Sequence, residues 1–166
     1  TDSKGSPYSS PSSFAINPWF LDGDELIEGG FIPPNESIEK IKIQGRNLDF
    51  LDFQIADELS EIISNLILDS WETQSELNKK NFYEWCSIND WVDEYAIYSV
   101  LKMEFDNEGW WKWPKNFRDK DKNIIDKWKR SHINGILKKK LEQWHLHRQW
   151  LKIRKFARIK GVRLIG

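Results

Sequence analysis

The sequence predicts a mainly α-helical chain that ends on one helix-to-strand step, and three observations predict it. Apolar residues recur at spacings of three and four through residues 55–105, the pattern of helices that each bury one stripe. Residues 121–160 carry a longer helical pattern that is apolar on two sides. That pattern stops at Gly161, and Val162-Arg163-Leu164-Ile165 follows. Glycine closes helices because the closing residue takes a left-handed conformation. The β-branched apolar run after it reads as a strand. A helix that enters a strand through so short a turn is half of a βαβ step, the repeating unit of parallel α/β sheets. A parallel strand needs neighbours and the chain offers almost none, so it reads as a piece of something larger.

The elements follow in order. Residues 1–18 are rich in Ser, Pro and Gly, a loop by composition. Tyr8, Phe14, Ile16, Trp19 and Phe20 give it anchors, which predicts an ordered loop rather than a tail. Asp22 or Asp24 caps a short helix, Glu25 to Glu28, closed by Gly29-Gly30. Pro33-Pro34 and Asn35 mark a turn, and Ile38, Ile41 and Ile43 lie in a loop or a short strand. Ile55, Leu59, Ile62, Ile63 and Leu66 define a helix with acids opposite. Leu77 to Trp85 forms a second. A third starts at Ser87 or Asn89 and runs to about Phe105, with carboxylates in its first turn at the positive end of the helix dipole. Trp110 to Pro114 is a loop, with one helical turn near Phe117. A break between Ser131 and Asn134 divides residues 121–160 into a short helix and a long one of about 28 residues, roughly 42 Å. On the long helix Ile133, Leu137, Leu141 and Trp144 face one way; Leu146, Trp150, Ile153 and Ala157 face nearly the opposite way. Such a helix is expected between two layers, one the sheet holding Val162–Ile165, the other the helices of residues 55–105.

Charge is unevenly spread. Residues 1–111 carry 7 basic and 22 acidic side chains, and residues 112–166 carry 18 and 4, so a net of −1 conceals halves of about −15 and +14. Two halves of one body that neutralise each other on folding account for this, because nucleic-acid domains seldom carry a matching acidic half. The alternative is a helical nucleic-acid or protein-binding module that uses the basic C-terminal third. Lys138-Lys139-Lys140 reads as a solvated face. Cys86 is the one cysteine, so a disulfide framework is excluded and a reducing, cytoplasmic compartment is expected. No apolar run approaches membrane-spanning length, and the stretch from Thr1 is expected to be a polar loop rather than a signal peptide. Ten tryptophans suit both cores and sugar platforms.

Chemistry is harder to find. His145 and His147 stand two apart on a helix and point to different faces, and with His132 they read as packing or solvent-facing residues, not metal ligands. Cys86 reads as an inert small apolar residue. Asp93 and Glu94 are adjacent, so they diverge and make a poor acid/base pair. Neither a phosphate loop nor a Gly-x-Ser-x-Gly elbow is present, and no cofactor is expected.

Four stretches nevertheless carry a resemblance. They are Gly5-Ser6-Pro7-Tyr8-Ser9 with Phe14-Ala15 and Asn17-Pro18; Trp91-Val92-Asp93-Glu94-Tyr95-Ala96; Trp110-Trp111-Lys112-Trp113-Pro114 with Arg118-Asp119; and Gln143-Trp144, Arg148-Gln149-Trp150 and Lys160 to Gly166. In this order and together the chain resembles the N-terminal segment of the 4-α-glucanotransferases, the amylomaltase or disproportionating-enzyme family (glycoside hydrolase family 77). Residues 35–80 match poorly.

The resemblance implies a helical insertion plus one helix-strand step of a (β/α)8 TIM-barrel glycosidase-type fold. Residues 1–34 would be a substrate-loop region after a barrel strand, 35–132 a helical insertion subdomain, and 133–166 a long barrel helix with its strand. It implies transfer of α-1,4-glucan chains between maltooligosaccharides by retaining double displacement, with the rest of the barrel polypeptide as partner and neither nucleic acid nor membrane involved. The catalytic carboxylates have no counterpart in this chain, which is expected to be inactive alone. Ser6 and Tyr8 match positions in the loop bordering the donor sugar and are the substrate-binding candidates. Ser3 stands where some members present a tyrosine for a second glucan site. Trp110, Trp111 and Trp113 are expected to pack rather than bind sugar. A cytoplasmic enzyme is implied, or a plastid one in a eukaryote.

Overall fold

The computed structural model describes residues 10, 12–50 and 52–164. Among these, eight α-helices follow one another: α1 (Gly23–Glu28), α2 (Glu36–Arg46), α3 (Phe53–Asp69), α4 (Glu76–Ile88), α5 (Trp91–Glu104), α6 (Lys115–Arg118), α7 (Lys122–Ser131) and α8 (Ile133–Ile159). Single 3-10 turns lie at Pro18–Phe20 and Trp110–Lys112.

Local chemistry explains most boundaries. Asp22, Asn35, Asp52, Ser75 and Asp121 accept hydrogen bonds from first-turn N–H groups of α1, α2, α3, α4 and α7. Each such cap is worth about 1 kcal/mol. Asp22 rather than Asp24 caps α1. Both predicted glycine stops are full Schellman closures. Gly30 has φ +70° and Gly161 φ +78°. Around Gly161, Val162 N–H donates to Ala157 C=O (2.9 Å) and Gly161 N–H to Arg158 C=O (3.1 Å). The bonds of Phe31 and Gly30 to Leu26 and Ile27 close α1 in the same way.

The segment expected to be loop or short strand at Ile38–Ile43 is helix α2. Asn35 is its N-cap rather than part of a free turn. Ile38 and Ile41, three apart, are the buried pair, and Ile43 on the opposite side is exposed.

Helix α8 is the axis on which the others pack. Helices α3, α4 and α5 all lie against it. Trp144 sits at the centre of an aromatic core. Its ring meets Phe82 at 5.6 Å, Phe31 at 6.1 Å and Trp71 at 6.4 Å between centroids, all edge-on. Leu26, Ile38, Ile63, Ile67, Val92, Leu141 and Leu146 complete that core. A second cluster joins Leu101, Trp113 and Trp128 with Phe105, Phe117 and Ile136.

Of the two layers expected around α8, the described residues contain the helical one and no sheet, and Leu146, expected to face the sheet, lies in the same core as Leu141 and Trp144. Residues 141–146 are buried against the helical layer. Beyond Gln149 the helix emerges: Trp150, Leu151, Ile153, Phe156 and Ile159 are exposed. The expected strand is also not formed among the described residues, since Val162, Arg163 and Leu164 adopt no regular structure; Ile165 lies outside the described residues. The reason is that strand hydrogen bonds come only from a neighbouring strand, and the described residues contain none.

Candidate functional site

The loop that leads out of residues 1–9 is held by unusual means. Ser12 Oγ accepts from the N–H groups of Phe14 and Ala15, 3.1 Å each, which shapes the turn. Phe14 then stacks on Trp91 of α5 (5.9 Å) and Trp19 on Phe53 of α3 (5.2 Å), while Trp19 Nε1–H donates to Asp57 (2.7 Å). Two buried glutamines of α8 grip the main chain, one between these stacks and one beyond them. Ile16 N–H donates to Gln143 Oε1 and Gln143 Nε2 donates back to Ile16 C=O, both 2.9 Å. Gln149 repeats the grip on Asp22, at 3.1 Å and 2.9 Å. Each amide thus supplies the acceptor and donor that a neighbouring strand would, so both main-chain groups are satisfied where the loop is partly buried. The ordered loop expected from its aromatic anchors is seen for residues 12–22.

A charged group seals the far end. Gln149 Nε2 also donates to Glu25 (2.9 Å), which receives Lys152 and Arg148 as well. Burial alone would push the Glu25 carboxyl up, but hydrogen bonds from Lys152 and Gln149 and the Arg148 charge outweigh it and hold it below its ordinary value. The Arg148 guanidinium lies 4.0 Å over the Phe31 ring and donates to His145 Nδ1 at 3.0 Å.

Burial above all sets how His145 responds to acid. Burial, with the adjacent arginine charge second, holds its imidazole down at about 3 against an ordinary value of 6.5. The folded state therefore binds this proton later than the unfolded chain does. Its stability contribution is whole above pH 6.5 and drains as pH falls toward 3. Between pH 7 and pH 5 the protein should lose about 2 kcal/mol through this group. Urea denaturation at both pH values measures it. An unchanged midpoint, or a His145 NMR titration near its ordinary value, would contradict it.

The structure distributes the other sequence-predicted residues unevenly. Ser6 and Tyr8, the substrate-binding candidates, lie outside the described residues, as does Ser3. The expectation that the WWKWP tryptophans pack holds for one of the three. Trp113 is 6% exposed, lies between Tyr98 and Phe105 and donates its N–H to Glu108 C=O at 3.2 Å. Trp110 and Trp111 are 51% and 63% exposed and touch each other edge-on at 6.1 Å. Their 3-10 turn points them away from the cluster that Trp113 enters.

The histidines are packing residues. His132 stacks on Trp128 at 4.3 Å, and His147 Nδ1 accepts from Trp85 Nε1–H at 3.0 Å. Cys86 packs against the core, and burial pushes its thiol up to about 11, far from a nucleophile's range.

The lysine run departs from its expected solvated face. The side chains of Lys138, Lys139 and Lys140 are only 12%, 14% and 22% exposed. Lys138 pairs with Glu61 of α3 (2.6 Å), Lys140 with Asp93 of α5, and Lys139 with Glu142 of α8 itself (2.9 Å). Lys120 reaches Glu94 (2.7 Å), so Asp93 and Glu94 diverge as their spacing predicted. Part of the basic third meets the acidic first part, through Lys112, Lys120, Lys138, Lys140, Arg148 and Lys152, and that share of the charge is neutralised internally. Gln143 and Gln149 had no assigned role at the sequence level. A glutamine that grips main chain 127 residues away leaves no local signal.

Known proteins supply the remaining evidence. A sequence model of the family described as 4-alpha-glucanotransferase, glycoside hydrolase family 77, matches residues 1–166. The 4-alpha-glucanotransferase of Synechocystis is 27% identical over 163 residues, covering 97% of this chain and 32% of the relative. The Clostridium butyricum 4-alpha-glucanotransferase is 26% identical over the same shares, and the chloroplastic/amyloplastic enzyme of Solanum tuberosum is 24% identical over 98% of this chain. The chain spans about a third of the length of the curated relatives it matches. Its fold is that of the corresponding part of amylomaltase from Streptococcus agalactiae, solved in complex with acarbose, at TM-score 0.79 and 21% identity, over 95% of this chain and 31% of that one. With the family matched from its first residue to its last, the chain belongs to the 4-alpha-glucanotransferases of glycoside hydrolase family 77.

Proposed function

We propose that the protein containing this chain transfers α-1,4-glucan segments between maltooligosaccharides by a retaining double displacement. The family match over residues 1–166 carries this reading. The chemistry needs one carboxylate to attack the anomeric carbon and one carboxylic acid to protonate the leaving oxygen, with the two about 5–5.5 Å apart. A second glucan's hydroxyl then resolves the glycosyl-enzyme in place of water. We assign neither role to this chain. Glu25, Glu61, Asp93, Glu94 and Glu142 are all engaged by lysines or arginines, and the family places its catalytic pair on later barrel strands.

This chain's own part is to border the donor sugar. Tyr8 would bond a glucose hydroxyl while its ring packs on the sugar face, with Ser6 beside it. Residues 1–34 form the substrate-loop region, 35–132 a helical insertion, and 133–166 the barrel helix and strand of a larger (β/α)8 body, whose sites lie at the carboxyl ends of the strands. On this reading the exposed side of α8 beyond Trp150 faces that barrel. No cofactor enters the scheme. Among the described residues no helix is long and apolar enough to cross a membrane. The lone Cys86 fits a cytoplasmic enzyme, or a plastid one in a eukaryote.

Incubating the full-length protein with maltotriose should yield glucose together with maltopentaose and longer chains. Hydrolysis alone, or no reaction, would overturn the reading. The 166-residue chain by itself should release no glucose. Tyr8→Phe in the full-length protein should lower kcat/KM roughly three- to tenfold, the range of one lost neutral hydrogen bond. Unchanged kinetics would remove Tyr8 from the donor site.

A further inference from the structure

We propose that Trp110 and Trp111 form a surface binding site for an α-1,4-glucan chain, in which two successive glucose units stack on the two indoles. The identity of the ligand rests on the glucanotransferase reading above.

Exposure and placement together carry it. Trp110 and Trp111 leave 51% and 63% of their surface to solvent, although tryptophan is among the side chains with most apolar area to hide. Both are placed by the backbone. Lys112 N–H donates to Gly109 C=O at 2.8 Å and Trp113 N–H to Trp110 C=O at 3.2 Å. These bonds close the turn, and the buried Trp113 anchors it in the second cluster. The six-membered ring of Trp111 lies so close to Gly109 that a Cβ there would meet it at 2.5 Å. Glycine at 109 is what lets the indole rest on the main chain. A ring positioned before its ligand arrives loses little conformational entropy on binding.

Geometry selects the ligand. The two rings stand at 82° with centroids 6.1 Å apart, so they form a corner rather than a flat strip. The apolar C–H face of a pyranose packs on an aromatic ring. Successive glucoses of an α-1,4 chain turn relative to one another and present their faces along a curve. A β-1,4 chain is a straight ribbon and suits coplanar rings. Charge agrees with a neutral sugar. Lys112, the cation within the turn, is paired with Glu108 at 2.7 Å, and both are half-exposed. The rim therefore offers hydrogen-bonding groups to hydroxyls without a net charge, whereas a polyanion needs unpaired cations.

Position leaves the corner open. The cluster that holds Trp113 also packs Ile136, near the start of α8. The exposed side of α8 assigned to the barrel begins at Trp150, about 21 Å further along the helix axis. The face left for the rest of the polypeptide thus lies at the other end of the helix.

The test uses the full-length protein. N-bromosuccinimide oxidises accessible tryptophans, and the tryptic peptide Met103–Lys112 contains Trp110 and Trp111 and no other tryptophan. Mass spectrometry of that peptide therefore reads this site alone. Soluble amylose should protect it from oxidation, and hydroxyethyl cellulose at equal mass should not. In native gels containing amylose, the double variant Trp110→Ala, Trp111→Ala should need roughly tenfold more amylose than wild type for half-maximal retardation, the scale of losing two stacking contacts. Gly109→Ala keeps both indoles but puts a Cβ where the Trp111 ring lies. The ring must move, so this variant should also lose retardation, and it decides the matter if the double variant does not fold. Equal protection by the two polymers, no protection by either, or wild-type retardation of Gly109→Ala would overturn the proposal. Protein that disproportionates maltotriose while Met103–Lys112 stays unprotected would remove this site and leave the glucanotransferase reading standing. Protection by amylose without disproportionation would do the reverse.

Discussion

Trp144→Ala is expected to cost about 3–5 kcal/mol of folding stability, the range for deleting a large buried aromatic side chain. Trp144 is the residue at which the helical layers meet. From the middle of α8 it touches Phe31 after α1, Trp71 after α3 and Phe82 of α4. Its deletion leaves a cavity that none of these can fill without leaving its own packing. Ordinary domains hold about 5–15 kcal/mol in total, so the variant should sit near the edge of folding. Trp111→Ala is the control. That ring is exposed, and its loss should shift stability by no more than about 0.5 kcal/mol. Denaturant midpoints compare the two, and similar losses from both would contradict the central place given to Trp144.

The second large effect comes from the Lys139–Glu142 pair. Glu142 is 1% exposed on its side chain and accepts from Lys139 Nζ at 2.9 Å and 3.1 Å. Burial alone would pull the Lys139 ammonium down, but the charge and hydrogen bonds of Glu142 outweigh it and hold it above its ordinary value. Glu142→Leu removes that partner and leaves a buried cation, a change expected to cost about 3–5 kcal/mol. Glu61, another carboxylate whose charge acts on Lys139, is already held by Lys138. Lys139→Met together with Glu142→Leu should recover most of the loss, because two buried charges are replaced by apolar side chains of similar size. Additive losses in the double variant would mean that the pair is not the reason these residues are buried.

Much of the helical layout is legible in the sequence because its causes are local. The stripe of Ile55, Leu59, Ile62, Ile63 and Leu66 announces α3, and Gly161 announces the end of α8. Helix α2 was missed because Asn35 serves turns and N-caps equally, and its apolar set of Ile38 and Ile41 is too short to show a period. The strand at Val162–Ile165 was overread among the described residues, since β propensity describes a fit to a sheet surface and not a structure that a segment holds alone. The site was less legible. Ser6 and Tyr8 came from family resemblance, and nothing in their local pattern singles them out. Gln143 and Gln149 stood only within the stretch that carries the resemblance, with no role attached to either.

The sequence by itself determined most of the helices, several of their ends and the family, because capping, periodicity and motif order are written in neighbouring residues. The tertiary structure decided where the charges and amides point. Lys138 to Lys140 turn inward to Glu61, Glu142 and Asp93, and Gln143 and Gln149 reach main chain 127 residues earlier. A side chain's partner depends on which surfaces are packed together. A lysine that would be solvated on an isolated helix becomes an interface residue once an acidic helix lies against it. A glutamine that would cost stability in an apolar core becomes the fixed point of a loop once that loop crosses it.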